Sequence, residues 1–170
     1  VKLFGLLAIS SSLFTACSTS DDGPSSSFEV NPADFKGTIT DGEVVLDDNT
    51  VYNLTGALVV ADGATLTIPA GTLIRATGGT SSYIAVAQGG QIFINGTASD
   101  PVVMTSGNAT QAPGDWGGLV ICGRAPINTV SGGTSTAQSE VADLTYGGSL
   151  TGVSSGSIRY LRASFLSLKS

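Results

Sequence analysis

Five carboxylates, Asp62, Asp100, Asp115, Glu140 and Asp143, share the second part of the sequence with Arg75, Arg124, Arg159 and Arg162. Clustered on one face, such groups could act as general acid and base on a sugar chain, or could hold calcium beside a basic residue. Asp62 and Asp100 sit in turn contexts, where aspartate is favoured because its side chain bonds its own backbone. The pair that stands out is Asp115-Trp116. An exposed tryptophan beside a carboxylate can stack on the apolar face of a sugar ring while the carboxylate takes its hydroxyls. The alternative is structural: Trp116 plugs a corner of the fold, with Gly117 and Gly118 letting backbones approach closely.

Other chemistries are excluded by what is missing. The sequence has no histidine, so it has no Ser-His-Asp triad, no Cys-His pair and no imidazole zinc site. Cys122 lies in the apolar run Leu119-Val120-Ile121-Cys122 and reads as a small buried hydrophobe. No metal, cofactor or catalytic residue is expected. A formal net charge of −6 argues against nucleic acid as a partner. Eight of the thirteen acidic residues precede Val51, so the acidity belongs to the entry of the fold.

At the start, Lys2 precedes an apolar run from Leu3 to Phe14 that closes on Thr15-Ala16-Cys17. The run is too short to span a bilayer as a stable helix and reads, over residues 1–16, as a secretory signal. Residues 17–34, rich in serine, proline and acid, read as a flexible tether. Phe14-Thr15-Ala16-Cys17 resembles the lipobox of bacterial lipoproteins. That resemblance implies that Cys17 begins the mature chain and carries acyl groups. Each buried methylene would contribute about 0.8 kcal/mol, and more than one acyl chain is needed for stable anchoring. The tract Ser18-Thr19-Ser20-Asp21-Asp22 resembles the export tether of Bacteroidetes-type surface lipoproteins, which implies an outer-membrane or cell-surface location.

The remainder, 35–170, shows short apolar runs broken by Gly, Asp and Asn, with almost no helical periodicity. It contains an internal repeat. Ala57–Ile68 lies over Tyr83–Ile94 at an offset of 26 residues, matching Leu58 with Ile84, Val60 with Val86, Gly63 with Gly89, Leu66 with Ile92 and Ile68 with Ile94. Within each unit the apolar residues share one parity and point inward, with the glycine turning the corner. One such coil buries only one face, so coils must stack. Leu119 and Ile121 take the places of Ile84 and Val86, and Ser157–Leu161 reads as the opening strand of a further coil. The Gly/Ser/Thr-rich stretch at about 128–156 reads as a protruding loop.

The string GGQIFINGTASDPVVMTS (Gly89–Ser106) resembles a rung of right-handed parallel β-helix proteins, and DGATLTIPAGTLI (Asp62–Ile74) resembles the rung before it. With GDWGGLVICGRAPIN (Gly114–Asn128), the set resembles β-helix surface lipoproteins of the Bacteroidetes type. The resemblance implies an all-β, right-handed parallel β-helix. Its members are usually longer, which implies a C-terminally incomplete solenoid. The functional expectation is a membrane-anchored, non-catalytic binding or structural module, with glycan as the candidate partner. The rival is a carbohydrate-active enzyme, a polysaccharide lyase or glycosidase.

Overall fold

In a computed structural model, the structure describes residues 26–128 and 135–166. The signal segment, Cys17 and the first half of the tether lie outside the described residues.

Alternation of apolar and polar residues commits each short run to a strand with one buried face. The first coil runs through β1 (Phe35–Ile39), β2 (Glu43–Val45) and the first half of β3 (Val51–Val60). The second half of β3 opens the second coil, which continues through β4 (Thr65–Pro69) and β5 (Leu73–Ala76). β6 (Tyr83–Val86), β7 (Gln91–Asn95) and β8 (Val102–Ser106) form the third. β9 (Gly118–Ile121) opens the fourth. A hairpin of β10 (Thr136–Gln138) and β11 (Thr145–Gly147) intervenes before β12 (Gly156–Arg159) and β13 (Leu161–Ala163) complete it.

Every pairing between coils is parallel, and the protein is a parallel β-helix. The repeat offset is the structural register: Leu58 pairs with Ile84, Val60 with Val86, Leu66 with Ile92 and Ile68 with Ile94. All eight side chains are fully buried. Each contributes about 1.5–3 kcal/mol relative to exposure. Gly63 and Gly89 turn their corners at φ +82° and +89°, a left-handed conformation that a β-carbon disfavours.

Three features depart from the sequence reading. Each coil has a third strand, so β5 and β8 close a wall that the two-strand repeat did not include. Ser157–Leu161 does not open a new coil. Gly156 and Ile158 pair with Ile92 and Ile94, so this segment carries the second wall, and β13 follows on β8. The insertion also starts earlier than 128. It leaves at Cys122, the corner turned in a few residues at Gly63 and Gly89, and it contains the antiparallel β10–β11 hairpin.

The stack Ile39–Val60–Val86–Ile121 shows how burial depends on neighbours above and below. The first three are fully buried, whereas Ile121 is 39% exposed because β9 is paired on one side only among the described residues. Ile158 above Ile94 is likewise exposed. At the other end, Phe28 and Val30 pack against the core, and the Ser27 amide donates to Asp41 at 2.8 Å. Residues 26–34, assigned from sequence to the tether, therefore lie against the first coil.

Four aspartates, Asp34, Asp41, Asp47 and Asp115, accept local hydrogen bonds that hold their carboxyls below the usual range. The leading donors are Thr55 for Asp34, Ser27 for Asp41, Asn49 for Asp47 and Ser106 for Asp115. A depressed folded-state value stabilises the fold above the unfolded value, about 3.9, and that contribution is lost as pH falls through the folded value. With no histidine to titrate near neutrality, the thermal midpoint should stay flat from about pH 8 to 5 and fall below about pH 4. A scan of midpoint against pH checks this; a fall beginning near pH 6 would contradict it.

Candidate functional site

The described part of the insertion, 135–155, lies along the first wall, which is formed by β1, the second half of β3, β6 and β9. The Gly147 amide donates to the Gly123 carbonyl at 2.9 Å, and the Leu150 amide to the Arg124 carbonyl at 2.9 Å. Gln88 Nε2 reaches both the Gly123 and Gly147 carbonyls, at 2.9 and 2.6 Å. Arg124 crosses the corner to Asp62 at 3.0 Å and also donates to the Gln88 carbonyl. A β-carbon on Gly89 would displace the Asp62 carboxylate from this contact. Cys122 is buried, and desolvation pushes its thiol upward despite a hydrogen bond involving Ser139. It is a packed thiol, not an activated one.

With the insertion in place, the start of the first wall borders a groove of about 590 Å³. Its lining is Gly56, Ala57, Thr80, Ser81, Tyr83, Gly117, Glu140 and Val141. Tyr83 precedes inward Ile84 and so takes the outward parity, and it is half-buried. Glu140 and Val141 come from the insertion just before β11. Gly117 keeps the wall close to the preceding corner, since a β-carbon on it would stand 2.7 Å from the Thr80 carbonyl. An aromatic ring, a carboxylate and two hydroxyls around a cleft of this size suit a sugar, which offers an apolar face and many hydroxyls.

The pair singled out in the sequence does not provide this. Trp116 is 1% exposed, its ring belongs to the core, and its Nε1 donates to the Ser164 carbonyl at 2.7 Å. A buried ring has no face to offer a ligand, and Trp116 takes the place of the plug, the structural one of the two readings its sequence offered. Asp115 is committed beside it: Oδ2 accepts from Ser106 Oγ at 2.5 Å and from the Ala112 amide at 2.9 Å, pinning the loop that leads into β9.

The other carboxylates are dispersed. Asp62 pairs with Arg124, while Asp100 closes its own turn, its amide accepted by Thr97 Oγ1 at 3.0 Å. Asp143 sits in the β10–β11 connection at φ +49°. Among the described residues, no three acidic or cysteine side chains gather to hold a metal. Tyr83 could have been found from its parity in the repeat. Glu140 carried no such signal, because its place beside Tyr83 depends on how the insertion folds.

No curated protein and no solved structure matches the chain. A family model described as a pectate-lyase like beta helix domain matches residues 37–169, and the chain belongs to that family.

Proposed function

We propose that the protein is a membrane-anchored, surface-exposed module that binds a glycan in the Tyr83–Glu140 groove without cleaving it. The observation that carries this reading is the groove itself, where an outward aromatic ring, a carboxylate and two hydroxyls border one cleft. The family description fits a carbohydrate-related scaffold. Against the rival enzyme reading stands the separation of carboxylates that general acid–base cleavage needs together. Asp115 and Asp62 are occupied by structural partners, which leaves Glu140 as the carboxylate lining the cleft.

Titration calorimetry with oligosaccharides tests the site. Tyr83→Ala should weaken binding about tenfold, the loss of one stacking aromatic. Trp116→Phe should leave affinity unchanged. Affinity unmoved by Tyr83→Ala would refute the groove as the site. Incubation with polysaccharide tests the rival, since new unsaturated or reducing ends that disappear in Glu140→Gln would make the protein an enzyme.

The anchor is part of the same proposal. Expressed from its full sequence in a bacterial host, the protein should fractionate with membranes, and Cys17→Ser should release it to the soluble fraction. Retention of Cys17→Ser in detergent-extracted membranes would sink the lipid-anchor reading.

A further inference from the structure

We propose that the groove selects cationic amino sugars and rejects uronates, an inference that rests on the glycan-binding reading of the same site. Among the described residues, Glu140 is the carboxylate lining the groove, and no lysine or arginine lines it. The basic residues of the repeat region that the structure describes are placed elsewhere, and Lys169 lies outside the described residues. Arg124 is held by Asp62 at the opposite corner of the wall, Arg75 and Arg162 stand on β5 and β13, and Arg159 stands on β12. Lys36 does approach the rim, its aliphatic stem against Gly56, but its ammonium is paired with Asp34 at 2.9 Å. Residues 129–134, within the insertion, are threonine, valine, serine and glycine and bring no charge.

Among the described residues the cleft therefore presents one uncompensated negative charge next to one aromatic ring. A uronate would bring its carboxylate to Glu140 with no cation to replace the water it loses, which opposes binding. A sugar with a free ammonium gains twice. The ammonium can donate a charge-assisted hydrogen bond to Glu140, and it is attracted to the face of Tyr83. The net charge of −6 adds a weak long-range pull of the same sign. Pectate is itself a polyuronate, so the charge of this groove opposes the ligand in the family's description.

The test uses the purified protein and three probes of equal length: a glucosamine oligomer, its neutral N-acetylated counterpart and an oligogalacturonate. The glucosamine oligomer should bind about fivefold more tightly than the neutral one at low salt, the yield of one partly exposed ion pair. Added salt should narrow that gap. The oligogalacturonate should not bind. Glu140 is exposed, so Glu140→Gln should fold normally and abolish the preference for the cationic probe over the neutral one. Glu140→Lys should reverse it.

Equal binding of the cationic and neutral probes, or a preference that survives Glu140→Gln, overturns the charge selection and leaves the groove a glycan site. Tighter binding of the oligogalacturonate does the same. Failure of all three probes overturns the glycan-binding reading itself. A trilysine peptide bound as tightly as the glucosamine oligomer overturns the assignment to a sugar.

Discussion

Ile92→Asp is expected to destabilise the protein by more than about 4 kcal/mol, a large share of the 5–15 kcal/mol that holds a typical domain together. Ile92 is fully buried on β7, stacked on Leu66 below and Gly156 above. Its replacement removes a close-packed side chain and places a carboxyl where no donor is aimed. The next residue toward the N-terminus makes the control. Gln91 has the opposite parity and is half-exposed, and its side chain donates to the Ser154 carbonyl at 3.3 Å. Gln91→Ala should change stability by no more than about 0.5 kcal/mol. Urea unfolding of the two variants checks the register of the second wall, and equal shifts would mean that the inward and outward residues have been exchanged.

Trp116→Ala is expected to cost about 3–5 kcal/mol, the range for emptying a buried aromatic site. Trp116 is the largest fully buried side chain, and it joins two parts of the chain distant in sequence. Its backbone bridges in parallel to Leu166, and its indole nitrogen donates to Ser164. Trp116→Phe keeps most of the volume but leaves the Ser164 carbonyl without its donor, a loss of about 1–3 kcal/mol. Thermal unfolding should rank wild type above Trp116→Phe and that above Trp116→Ala, while sugar affinity stays constant in whichever variants remain folded. A variant that keeps its stability but loses sugar binding would restore Trp116 as a ligand platform. On the proposed reading, stability and binding fall to different aromatics, Trp116 inside the helix and Tyr83 outside it.

The insertion is what separates this corner from the others. Where Gly63 and Gly89 turn the chain between walls in a few residues, the segment after Cys122 travels back along the wall before β12 resumes the coil. Return requires Gly156, whose φ is +111° and whose missing β-carbon would overlap the Ile92 carbonyl. The detour brings Glu140 to the groove and ties Arg124 to Asp62, so one segment both completes the candidate site and staples it to the second coil.

What the sequence determined by itself was the coil: the fold class, the pairing offset of 26 residues, the inward set from Leu58 to Ile94 and the corner glycines. Those follow from alternation along a strand, which every residue inherits from its immediate neighbours. Tertiary structure decided the rest. It placed Ser157–Leu161 on the second and third walls, because a strand's wall depends on how many corners precede it, and a long insertion hides that count. It buried Trp116, because a side chain at a corner turns inward or outward according to what stacks beside it. It also set Glu140 near Tyr83, since their meeting depends on hydrogen bonds that tie Gln88, Gly123 and Arg124 to residues far along the chain, contacts that leave no periodic trace.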